Sequence, residues 1–83
     1  MAKKTYKVTF NVEVILKISD ELIEEVLQPD WQKTFYRLTS PQDVAEHLAY
    51  NFVRNRAALT SLDGFAHRKE EDAKLLEENW EED

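Results

Sequence analysis

A chain of 83 residues makes one domain and leaves no room for a second. With no cysteine it has neither disulfide staples nor thiolate metal ligands, and its longest unbroken apolar run, Val14 to Leu16, is far short of a membrane span. Its net charge of −6 disfavours direct contact with nucleic acid, and that charge is graded: residues 1–18 are net +3, residues 19–68 net −3 and residues 69–83 net −6.

The opening residues Met1-Ala2-Lys3-Lys4 lead into an alternating segment rather than an apolar core. No secretory signal is visible, and the cytoplasm is the expected compartment. A fold this small buries only about 60–65% of its unfolded surface, so it relies on packing or on association with another chain.

Tyr6, Val8, Phe10, Val12, Val14, Leu16 and Ile18 are apolar, and every residue between them is polar or charged except Ile15. This period of two predicts one long strand whose even-numbered side chains face the core. At about 3.3 Å per residue, the stretch from Tyr6 to Ile18 extends roughly 43 Å. A domain of this size is only about 30 Å across. The strand must therefore bend or bulge, near Ile15, and its free edge is expected to pair with a second copy or a target protein. Lys3, Lys4, Lys7 and Lys17 would serve as gatekeepers against such pairing in the opposite reading.

Ser19 is placed to cap a first helix, with Asp20 and Glu21 in its first turn and Pro29 ending it. Leu22, Ile23, Val26 and Leu27 share its apolar face. Trp31, Phe35 and Leu38 predict a helical turn or two after Pro29-Asp30. Ser40-Pro41-Gln42-Asp43 supplies a cap, a proline at the first helical position and an acid at the third. The helix it opens should reach about Asn55, burying Val44, Ala45, Leu48, Ala49, Phe52 and Val53.

Ala57 to Leu62 is the expected second strand. Asp63-Gly64 marks a turn, and Phe65-Ala66 extends the strand past a bulge. From Lys69 onward Ala73, Leu76 and Trp80 fall at helical spacing, predicting an acidic helix or tail over 69–83. Its end, Glu81-Glu82-Asp83, opposes the helix dipole. The expected fold is α+β: a small sheet with a long N-terminal strand, a second strand near 57–66, and two to three helices on one face.

No catalytic, cofactor or metal signature emerges. His47 and His67 lack ligand spacing, no nucleophile elbow is present, and a single glycine cannot build a phosphate loop. Two features point to contact with a partner. Asp43, Glu46, His47, Tyr50, Asn51 and Arg54 lie opposite the apolar stripe of the main helix, with Tyr50 and Arg54 as anchor types. In the acidic tail, Glu77, Glu78 and Trp80 form an aromatic anchor among anions, suited to a basic groove. Otherwise Trp80 closes the core beside Leu76, and Tyr50 packs under the Trp31–Leu38 segment.

The stretches Asp30-Trp31, Phe35-Tyr36, Ser40–Asp43, Glu46-His47-Leu48-Ala49-Tyr50-Asn51 and Leu62-Asp63-Gly64-Phe65 resemble small phage and mobile-element accessory proteins. The resemblance implies a non-enzymatic protein acting by contact, and it carries over no functional residues. A protein partner and a homodimer are expected. One alternative is an acidic inhibitor in which Glu70, Glu71, Asp72, Glu77, Glu78, Glu81, Glu82 and Asp83 stand in for phosphates in a nucleic-acid groove. Another is a small enzyme or ligand-binding domain with a pocket near His47 and Tyr50.

Overall fold

The alternating N-terminal run folds back on itself. In the computed structural model, which describes residues 2–35 and 37–80, it forms two strands, β1 (Lys3–Thr9) and β2 (Val12–Ser19), paired antiparallel. The expected single strand from Tyr6 to Ile18 is thus a hairpin, and the premise that it outreaches its own domain falls. The register explains why the reversal left no trace in the pattern. Val8 faces Val14, Tyr6 faces Leu16 and Thr9 faces Glu13, so three residues, Phe10, Asn11 and Val12, make the turn. An odd-numbered loop pairs even positions with even positions, and the alternation passes through unchanged. The tip also lacks the usual cue of a left-handed residue: among the described residues only Arg56 and Gly64 have positive φ.

The predicted burial holds. Val8, Val12, Val14, Leu16 and Ile18 are all buried, and Tyr6 and Phe10 pack against the core. Three helices, α1 (Asp20–Val26), α2 (Pro29–Thr34) and α3 (Pro41–Val53), supply most of the remainder, and Leu59, Phe65 and Ala73 complete it. Leu22, Ile23 and Val26 come from α1, Trp31 from α2, and Val44, Ala45, Leu48, Ala49 and Val53 from α3. Ser19 caps α1 by accepting from the Leu22 amide at 3.2 Å, and Ser40 caps α3 through the Asp43 amide at 3.1 Å. Pro29 separates the first two helices by opening α2 at its first position. The Trp31–Leu38 segment is helical only to Thr34.

The third strand is β3 (Ala73–Trp80), antiparallel to β2, giving the order β1-β2-β3. Two expectations are corrected. Residues 73–80 are strand rather than acidic helix, and residues 57–66 hold a 3-10 turn, Leu59–Ser61, and the Asp63-Gly64 turn rather than a strand. Glu81, Glu82, Asp83 and Tyr36 lie outside the described residues. The β2–β3 register shifts between Ile15, opposite Glu77, and Leu16, opposite Leu75. The bend or bulge expected in the N-terminal strand near Ile15 is instead the reversal at residues 10–12, and the bulge lies on β3, with Leu76 as the extra residue. Before it Ala73 and Leu75 share the helix side of the sheet; after it Glu78 and Trp80 do, opposite Val14 and Val12. That slip breaks the period of two and leaves a spacing that reads as helical.

The architecture is α+β, a three-stranded antiparallel sheet with helices on one face. The uncovered face carries Lys3, Lys7, Lys17 and Lys74 against Glu13 and Glu77. Lys17 and Lys74 stand directly opposite each other, so this face is wetted and locally basic.

The loop before β3 is held down by specific bonds. Glu25 of α1 binds both His67 Nε2 at 2.8 Å and Arg68 Nε at 2.9 Å. The Glu70 carboxylate accepts from the Thr60 hydroxyl at 2.6 Å and from the Thr60 amide at 3.3 Å. Gly64, at φ +89°, brings its carbonyl to the Trp31 indole N–H at 3.2 Å. A Cβ at this position would meet Trp31 Cζ2 at 2.7 Å and Phe35 Cδ2 at 3.0 Å, in a backbone region that L side chains disfavour. Gly64→Ala should destabilise the fold by about 2 kcal/mol, lowering the melting temperature by roughly 8–16 °C. A melt followed by circular dichroism reads this directly, and an unchanged midpoint would refute the packing described.

Candidate functional site

The residues singled out on α3 do not form one surface. Asp43 is engaged at the helix start, where its carboxylate accepts from the Thr39 hydroxyl at 2.8 Å and the Thr39 amide at 3.1 Å. Those bonds, with the Ser40 contacts, hold its carboxyl below the usual range. His47 is half-buried, its ring stacked on Phe65 with centroids 6.3 Å apart. It is a packing residue rather than a member of a polar face, and burial pushes its pKa down. Asn51 donates to the His47 carbonyl at 2.8 Å and accepts from Asn55 at 3.0 Å.

Glu46, Tyr50 and Arg54 do converge. With Val8, Thr9, Phe10 and Asn11 they line an open depression of about 350 Å³ beside the hairpin tip. Tyr50, 51% exposed, sits next to Phe10 with ring centroids 6.3 Å apart, not under the α2 segment. On the same side, the Gln42 amide donates to the Lys7 carbonyl at 2.9 Å. The outer edge of β1 is therefore flanked by α3 and partly satisfied by a side chain.

The other edge is different. Leu75, Leu76 and Trp80 are 37%, 51% and 47% exposed, and all three lie on β3. Trp80 does not close the core; its indole N–H donates to the Glu78 carboxylate. The Ala73 amide donates to the Glu70 carbonyl; among the described residues no other hydrogen bond reaches the backbone of residues 73–80 from outside the sheet. Alongside this strand runs a depression of about 350 Å³ lined by Phe52, Ala57, Ala58, Leu59, Ala73 and Leu75, with Glu70 and Lys74 at its rim. Arg56 closes one end of the strand, its guanidinium bidentate to Glu78 at 3.1 and 3.2 Å. To reach there Arg56 adopts φ 50°, the left-handed region that a non-glycine residue rarely enters. The bond from Trp80 and the Arg56 pair both lower the Glu78 pKa.

The acids are thus of two kinds. Glu70, Asp72 and Glu78 bond internal partners: Thr60; Arg68 at 3.7 Å; and Arg56. Glu71 and Glu77 are exposed, one just before β3 and one after its Leu75-Leu76 pair. Of the groove residues, helical periodicity puts Phe52 on the buried face of the main helix, Ala57–Leu59 fall in the expected second strand, and spacing does not pick out Leu75. The signal available was an adjacent apolar pair, Leu75-Leu76, inside an otherwise charged tail.

Among the described residues no cluster of His, Asp or Glu is arranged to hold a metal ion, and no helix is long and apolar enough to cross a membrane. No family model, curated protein or solved structure matches the chain.

The half-buried His47 leads to a pH prediction. Its folded-state pKa lies below its unfolded value, so its contribution is intact above about pH 6.5 and is lost as pH falls through the folded value. The melting temperature should drop between pH 7 and pH 5.5 in the wild type, and that slope should flatten in His47→Gln. Equal slopes in the two proteins would remove His47 as the source.

Proposed function

We propose that this protein is a non-enzymatic interaction module that acts by surface contact, and that its contact surface is the free edge of β3 with the groove beside it. The observation that carries this reading is the concentration of exposed apolar side chains, Leu75, Leu76 and Trp80, on an edge strand. An uncapped apolar edge is a template for another strand, and soluble proteins normally blunt or cover it. Support against an enzyme comes from the perturbed groups. Asp43, Glu70 and Glu78 each owe their shift first to a hydrogen bond from a neighbouring residue, and they stand on separate elements rather than around one cavity.

A second copy suits this edge poorly. Two β3 strands would bring together Glu70, Glu71, Asp72, Glu77 and Glu78 from each chain, and like charges across a strand pair oppose pairing. A different protein partner fits better than a homodimer formed there. The phosphate-mimic alternative has less support, since Glu70, Asp72 and Glu78 already bond internal donors.

Leu76 provides the test. It is skipped by the β2 register, so Leu76→Pro should block the outer edge while leaving the β2 ladder in place. Immobilised wild-type protein should retain a host protein that the Leu76→Pro protein, matched for circular dichroism and melting temperature, releases. Retention of the same protein by both would show that the edge is not the contact surface.

A further inference from the structure

The chemistry of the β3 edge also defines its occupant. We infer that the segment bound there is an extended, cationic stretch of another protein, about seven to nine residues long, with basic side chains at both ends and apolar ones at alternate central positions. This rests on the β3 edge being the contact surface.

Length comes first. β3 spans eight residues, Ala73 to Trp80, and a strand added along it matches that span. Side-chain chemistry follows from the two faces of the sheet. On the helix side, an added strand would lie next to Ala73 and Leu75 and above Phe52, Ala57, Ala58 and Leu59. Alternate residues of the incoming chain would enter that depression, and its apolar lining selects aliphatic ones. Leu76, exposed at the bulge, and Trp80 extend the apolar strip along the strand.

Charge completes the description. Glu70, Glu71 and Asp72 stand at the N-terminal end of β3, and Glu77 and Glu78 near its C-terminal end. Lys69 and Lys74 lie among them, and Arg68 and Arg56 pair with Asp72 and Glu78. Among the described residues that leaves Glu70, bonded to Thr60, and Glu71 and Glu77 as the acids without such a cation. Glu71 and Glu77 are exposed, one before the strand and one after the Leu75-Leu76 pair, so acids flank that apolar pair on both sides. Complementarity then places cations at the two ends of the ligand. An anionic segment would meet repulsion at both.

The test uses the full chain and defined probes. One is a fluorescein-labelled nine-residue peptide with two lysines at either end and alternating valine and threonine between. The other replaces the lysines by glutamates. Binding by fluorescence anisotropy is combined with amide chemical-shift mapping of the protein. The lysine peptide should bind at least about tenfold tighter than the glutamate peptide and weaken by about tenfold from 50 to 500 mM salt. Its shifts should centre on residues 73–80. The double substitution Glu71→Lys, Glu77→Lys should invert the preference between the peptides.

If both peptides shift the β3 amides equally, with no salt dependence, the cationic assignment is overturned and strand addition stands. If neither peptide moves a β3 amide, the edge itself is not a docking site and both readings fall.

Discussion

The fold depends on β2. Among the described residues it is the only strand with partners on both sides, and its inward side chains Val12, Val14, Leu16 and Ile18 are at most 1% exposed. Each buried aliphatic of this size contributes about 1.5–3 kcal/mol, so four in one strand hold a large share of the apolar driving force. A buried strand must also satisfy its backbone groups on both edges. β1 meets that need through a three-residue turn, and β3 meets it from the far end of the chain. The helices between them span the one face that β2 leaves apolar.

This demand explains why residues 73–80 are a strand. Lys, Leu and Glu are good helix formers in isolation, and the spacing of Ala73, Leu76 and Trp80 fits a helix. A helix there would leave β2 with one bare edge beside a buried core. Propensity differences of a few tenths of a kcal/mol per residue are outweighed by a whole ladder of hydrogen bonds and the burial of Ala73 against Ile18. Bonds placed well outside the sheet, from Glu25 to His67 and Arg68 and from Glu70 to Thr60, then deliver the chain to β3 at the correct point.

The consequence for function is an asymmetry between the two sheet edges. β1 is basic, carries Lys3, Lys4 and Lys7, and has Gln42 on its outer side. β3 follows the acids Glu70, Glu71 and Asp72, carries Glu77 and Glu78 after its apolar pair Leu75-Leu76, and is bordered by a groove. Placing β3 at the sheet's edge therefore turns a charged segment into a strand with exposed apolar side chains. The hairpin-tip depression around Tyr50 and Arg54 is of equal volume but has a partly covered edge beside it.

The amino-acid order by itself determined the buried face, the caps and the helices between the strands. Alternation marks even positions as inward wherever the strand lies, and Ser19, Ser40 and Pro41 act on backbone groups within three residues of themselves. Tyr50 and Arg54 were likewise legible as neighbours on a helix, because helical periodicity is local. Only tertiary structure decided that the N-terminal run reverses and that the acidic tail is a strand. A turn of odd length preserves the parity of the pattern, so period two cannot reveal it. A bulge at Leu76 does the opposite, breaking the parity of a true strand. Both are settled by which backbone groups find partners across the sheet, and for β3 that pairing joins residues some sixty positions apart, such as Val14 and Glu78.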